Sequence, residues 1–268
     1  MPEIPGMRLG KKPARHDPRT LQFAKYLLPK ALPAPPAHET WAAKVNQWPM
    51  MGNDKIGDCT CAAAGHFIEE WTANVGPTVI PPDQSIIAAY SAITGYDPAT
   101  GANDNGAVEL DVLNYWRSTG IDNHKIEAYV ALEPKNTEHI KDAVYLFGGV
   151  YIGVALPVTA QNQTVWSVPP GGPNGQGAPG SWGGHAVPVV AYDNRTLTCV
   201  TWGKLLKMTW GFWQAYCDEA YAILSPDWIN SKNYSPGNFD LTTLRADLNQ
   251  VVGVVAPAAG ATAGGGRR

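Results

Sequence analysis

Charge is scarce in this chain: Asp, Glu, Lys and Arg make up only 16 % of its 268 residues, and the formal net charge is -3. With a pI near 6.1, nothing argues for a nucleic-acid partner or for an anionic membrane surface, so neither is expected. Long apolar runs are lacking too. No stretch approaches the ~20 residues needed to span a bilayer. Residues 1–13 are polar and carry Pro and Gly without an apolar core, so no secretory signal is expected there. Cysteine is limited to Cys59, Cys61, Cys199 and Cys217, and without an export signal these are expected as reduced thiols. Cys59 and Cys61 are one residue apart, not the two of a zinc knuckle or a thioredoxin motif. No second Cys/His pair has ligand spacing, so neither a metal nor another cofactor is expected.

What the chain does have is 44 % hydrophobic residues, 10 Trp, 28 Gly and 23 Pro. That mix suits a loop-rich fold with an aromatic core. Residues 1–40 read as an arm with a basic patch of Lys11, Lys12, Arg15, His16 and Arg19. A short amphipathic helix is expected over 21–27, started by Asp17-Pro18 and followed by a Pro-rich linker at 32–36. The arm reads as a surface-wrapping extension, with a propeptide-like segment or a docking arm as sharper alternatives. Residues 41–228 form the body. Apolar spacing predicts helices over 59–74, 81–92, 109–119 (closed by Gly120) and 137–147 (begun at Thr137). Strands are expected over 150–156, 185–192, 196–202 and 219–224, with a turn at Asp193-Asn194 and a long aperiodic loop over 161–181. Helices first and strands later make the class α+β with an antiparallel sheet. Residues 229–268 read as an extension ending in an Ala/Gly-rich tail.

Two residues carry candidate chemistry. Cys59 opens the first helix, and a helix N-terminus lowers a thiol pKa. His185 enters an apolar strand and suits a base that pairs with that thiolate and then protonates a leaving amine. The oxyanion donors expected are the Cys59 N–H and the side-chain amide of Asn53, six residues upstream. Taken singly, a cysteine at a helix start or a histidine in a strand is ordinary core. Cys61, two positions on, reads as core packing and His66 as structural.

Asn53 through Ala63, with Gly57-Asp58-Cys59-Thr60 at its centre, resembles the nucleophile segment of papain-like cysteine peptidases. Gly183-Gly184-His185-Ala186-Val187, continuing as Val189-Val190-Ala191-Tyr192-Asp193, is similar to the family's histidine strand. The resemblance covers about residues 41–225. The Cys59–His185 separation falls slightly short of the ~130–150 residues of papain-type enzymes. The resemblance implies a two-lobed fold: a helical lobe with the Cys59 helix, and a sheet lobe with the His185 strand. It also implies hydrolysis of a peptide or amide bond through a thioester, with a peptide or protein as substrate. Trp202 would shield the pair. Two departures stand out. Asn53 replaces the family's longer Gln, a shortening that misplaces a donor by about 1 Å. Val200 falls where the family's imidazole-orienting Asn belongs, and Thr201 is expected on the other strand face. These favour a rival reading: an impaired papain-like module serving as a structural or binding component of an assembly, such as a phage-like particle, through its arm or tail. A related amide-bond enzyme acting on cell wall or a conjugate is a third. The corresponding location is cytoplasmic or virion-associated.

Overall fold

The computed structural model describes residues 5–23 and 34–237. Helix α1 (Cys59–Val75) is buried over nearly its whole length, so it is a core helix rather than a surface one. Around it pack α2 (Asp83–Thr94) and α3 (Glu109–Ser118). Pro81-Pro82 stops the chain before α2, and Gly95, at φ 77°, closes it. Helix α3 has Glu109 and Asp111 in its first turn and Arg117 in its last, the polarity a helix dipole favours. Helices α4 (Thr137–Phe147) and α5 (Trp210–Tyr216) lie later in the chain. The N-cap of α4 is Asn136, whose side chain accepts from the His139 N–H, so the expected start at Thr137 lies one residue inside the cap.

The strands are β1 (Glu39–Thr40), β2 (Ala128–Ala131), β3 (Val150–Leu156), β4 (Val165–Trp166), β5 (Gly183–Tyr192), β6 (Thr196–Thr201), β7 (Lys204–Thr209) and β8 (Cys217–Leu224). They form one sheet in the order β2-β8-β3-β5-β6-β7-β4, with β1 paired to β5. All pairings are antiparallel except β4 with β7. The α+β class with an antiparallel-rich sheet therefore holds. Strand alternation divides the core in two. Ile152, Val154, Val187, Val189, Ala220 and Ala222 face one cluster, with α4 and α5. Tyr151, Ala186, Tyr221 and Ile223 face the other, with α1, α2 and α3. Helix α1 thus packs on β5 from the side of Ala186.

Tryptophans lock the two cores together. The last carbonyls of a helix have no partners within it. In α4, the carbonyls of Val144, Leu146 and Phe147 accept from the indole N–H groups of Trp41, Trp228 and Trp71, at 2.8, 2.8 and 3.0 Å. Trp71 also stacks between Phe67 and Trp116. Gly148 follows at φ 84°, and a Cβ there would sit 2.8 Å from the Trp71 ring.

Several expectations are corrected. The chain turns at Asp17–Thr20, Leu21 and Gln22 run extended beside Ala131, and a 3-10 helix begins at Phe23, two residues later than expected. The rest of that expected helix, and the tail from 238, lie outside the described residues. The loop at 161–181 contains β4 and a short 3-10 turn at Gly175–Gly177. Strands β2 and β7 and helix α5 were not anticipated. Among the described residues no helix is long and apolar enough to cross a membrane.

Candidate active site

Helix α1, which opens at Cys59, packs against β5, and the backbone N–H groups of Ala186 and Gly10 offset part of the rise in thiol pKa that burial causes. Ala186 follows His185 in the strand, yet among the described residues no hydrogen bond joins Cys59 to either nitrogen of His185. Both are buried, Cys59 at 1 % and His185 at 0 % exposure. His185 Nε2 lies 2.7 Å from Thr201 Oγ1, and Trp202 stacks on the imidazole at 4.4 Å with 13° between the rings. His185 Nδ1 is buried and meets no hydrogen-bond partner.

Thr201 corrects the sequence reading. Along β6, Leu197 and Cys199 face the same core as Val187 and Val189. Thr201 continues that odd-numbered face and so points at His185. Val200 points the other way, into a small cluster with Ala42 and Val190. The strand then reverses through Trp202 and Gly203, at φ 44° and 71°, which form a tight two-residue turn into β7. A positive φ is strained for tryptophan. Here it is held by the stacking on His185 and by an indole N–H donated to the Arg8 carbonyl at 3.1 Å.

No protein-family model matches the chain, and no curated protein matches it by sequence. Solved structures do. Xylellain, a cysteine protease from Xylella fastidiosa, superposes with a TM-score of 0.62 at 15 % identity, over 84 % of this chain and 98 % of that one. A digestive procathepsin L 3 from Tenebrio molitor larval midgut gives 0.58 at 14 % identity, over 82 % and 77 %. A procathepsin B from Trypanosoma congolense gives 0.58 at 12 % identity, over 82 % and 86 %. The fold is papain-like.

In this papain-like chain the region over Cys59 is filled by residues 7–12, not by solvent. Arg8 N–H donates to the Asn53 carbonyl at 3.1 Å, and Lys11 N–H to the Gly184 carbonyl at 3.1 Å. Lys12 N–H donates to the Ala107 carbonyl at 2.9 Å, and Ala107 N–H to the Gly10 carbonyl at 2.8 Å. The segment can come this close because Gly10 passes directly over Gly57: a Cβ on Gly10 would overlap the Gly57 carbonyl. Residues 7–10 are half-buried, Lys11 is buried and Lys12 is exposed, so the segment lies along the surface of the body with one side chain turned inward.

Electrostatics follow from that cover. Burial raises the Cys59 thiol to about 12, with the hydrogen bonds from Ala186 and Gly10 pulling the other way. Burial alone lowers His185 to about 3. Both shifts favour a neutral thiol and a neutral imidazole. Asp58, the N-cap of α1, has a fully buried carboxyl that burial raises well above its ordinary range, partly offset by the nearby Asn53 amide. Asn53 is itself buried, and its amide donates to the Ile56 carbonyl at 3.2 Å. Cys61 is core. His66 is structural: Nε2 contacts the Pro49 carbonyl at 2.8 Å, and burial lowers its pKa to about 4. Asp193 makes the hairpin turn, accepting from the N–H groups of Arg195 and Thr196.

Sequence reasoning missed Thr201, Gly10, Lys11, Glu109 and Glu219. For Thr201 the signal was present in the odd-numbered apolar face of β6. The other four lack a local signal, because they meet only across the whole length of the chain.

Proposed function

We propose that this chain is a cysteine peptidase or amidase held latent by its own residues 7–12. In the released form Cys59 Sγ attacks the carbonyl carbon of a peptide or amide bond, and His185 takes the thiol proton. His185 then gives that proton to the departing amine, leaving a thioester on Cys59. Water, deprotonated by His185, hydrolyses the thioester and regenerates the thiol. Thr201 replaces the absent Asn as the group that orients the imidazole, and Trp202 covers the ring. The Cys59 N–H and the Asn53 amide are the donors assigned to the oxyanion. Asn53 must exchange its bond to Ile56 for that role.

The observation that carries this reading is a buried Cys59 under the backbone of residues 7–12, together with a hydroxyl bonded to the imidazole of His185. A thiol buried as mere core would be packed by side chains. The full burial of both residues also fits the rival reading, a papain-like module that never opens. The Gly10→Ala chain separates the two, because the added methyl group overlaps the Gly57 carbonyl and lifts the segment. Iodoacetamide labelling of Cys59 at pH 5–6 is expected to accelerate at least ~10-fold in this variant and to depend on His185, as a thiolate–imidazolium pair requires. Hydrolysis of an unfolded protein substrate is expected to appear with it and to vanish in Cys59→Ala. An unreactive Cys59 in the lifted variant would refute the peptidase reading and leave the non-catalytic module.

A further inference from the structure

Lys11 is the side chain in residues 7–12 that receives special treatment. Its side chain is 1 % exposed, and the ammonium lies 2.9 Å from Asp218 and 2.8 Å from Glu219. Glu109, from the first turn of α3, faces the same ammonium, and both of its carboxyl oxygens are buried without a hydrogen-bond partner. Tyr221 holds Glu219 in place by donating its hydroxyl to Oε2 at 3.0 Å. The floor is Gly153 of β3, where a Cβ would overlap the Lys11 stem. Burial by itself would lower the lysine pKa; Glu109, Glu219 and Asp218 more than reverse that and hold it above its ordinary value.

The backbone ties that hold residues 10–12 run main chain to main chain and are blind to sequence. Gly10 and Lys12 pair with Ala107, and Lys11 N–H with Gly184. A peptide of any sequence could make those bonds. The acidic pocket is different, because it discriminates. A lysine or arginine supplies the countercharge, and an arginine fork can pair with two carboxylates at once. A leucine or phenylalanine would leave Glu109 and Glu219 buried with no cation, which is strongly unfavourable.

We propose that Glu109, Asp218 and Glu219 form a subsite that selects a lysine or arginine side chain on a bound peptide, one residue along from the residue seated over Cys59, and that Lys11 occupies it in the resting chain. This rests on the peptidase reading for its role in substrate choice, but the recognition itself requires no turnover. Removing one member of a buried charged pair leaves the other unpaired, so a site of this kind discriminates by two orders of magnitude or more, ~100-fold.

Two experiments separate the subsite from the chemistry. In the first, a full-length chain carrying Gly10→Ala, Lys11→Ala and Cys59→Ala is titrated with a fluorescein-labelled peptide copying residues 7–15. A second peptide has norleucine in place of Lys11. The lysine peptide is expected to bind at least ~30-fold more tightly, and Glu219→Gln or Glu109→Gln, each checked for folding by its thermal transition, to shrink that ratio. Equal binding of the two peptides, or no binding of the lysine peptide at millimolar concentration, overturns the proposal. In the second, the Gly10→Ala chain is offered fluorogenic peptides with Lys, Arg, norleucine, Leu or Phe placed in turn at the positions flanking the cleavable amide. Cleavage that favours Lys or Arg by ~100-fold at one position is expected. Cleavage without a basic preference overturns the subsite and leaves the peptidase reading standing. Lysine-selective binding without any cleavage leaves the subsite standing and sinks the peptidase reading.

Discussion

Thr201→Val removes one hydroxyl and keeps the shape of the side chain, so it isolates the bond to His185. That bond is 2.7 Å long and buried, with Thr201 at 2 % and His185 at 0 % exposure. Because Nδ1 already lacks a partner, the valine variant leaves the whole ring unpaired. An orphaned buried polar group costs about 1–3 kcal/mol, and the resting chain should lose roughly that much stability in urea unfolding. Turnover should suffer separately. The imidazolium that forms on His185 loses both its orientation and a hydrogen-bond acceptor, and about 1.4–2.8 kcal/mol of lost stabilisation is ~10–100-fold in rate. The assay compares kcat and KM of the Gly10→Ala chain with and without Thr201→Val. The expected result is a fall in kcat of that size with KM within about threefold, because the hydroxyl does not touch the substrate. Thr201→Ser, which keeps the oxygen, should recover most of the rate. A Thr201→Val chain that matches its parent in both urea midpoint and kcat would refute the assignment of Thr201 as the positioning residue.

Three other outcomes are expected. His185 has its folded pKa lowered from 6.5 to about 3, so its contribution to the closed state is fully present above pH 6.5 and is lost as pH falls toward 3. The effect is on the order of 4 kcal/mol. Amide hydrogen exchange of residues 8–12, corrected for intrinsic rate, should therefore quicken as pH falls from 6.5 to 4, and much of that change should disappear in His185→Gln. In Lys11→Met the pocket keeps its acids and loses its cation, so Cys59 should be alkylated faster at pH 7 than in the parent chain; an unchanged rate would mean that Lys11 does not anchor the segment. Trp228→Phe leaves the Leu146 carbonyl at the end of α4 without its indole donor and should lower unfolding stability by about 1–3 kcal/mol, while α4 itself remains.

How much was legible differs from residue to residue. Helix α1 could be read because Asp58-Cys59 marks a start and Ala62, Phe67 and Trp71 recur at helical spacing. The bounds of α4 and β3 were legible for the same reason, from local period and flanking glycine. Strand β2 was not: four residues with a mostly half-buried pattern have no clear period. Strand β7 reads Lys-Leu-Leu-Lys-Met-Thr, without strict apolar–polar alternation and with an exposed Leu205, and α5 follows it without a break. Thr201 was misassigned because a motif alignment was followed where strand alternation pointed the other way.

By itself, then, the sequence determined the α+β class, the helix-then-strand order and the two segments that bear Cys59 and His185. Each of those rests on contacts between residues near one another in the chain. Tertiary structure decided the rest. It set Thr201 rather than Val200 against the imidazole, through the face that β6 turns to the core. It laid Gly10 across the thiol and enclosed Lys11 among Glu109 of α3 and Asp218 and Glu219 of β8, acids that lie far along the chain from it. Periodicity cannot encode such meetings. They exist only once the sheet and helices have closed on one another, and the close approach of backbones at Gly10 and Gly57 is what lets them close.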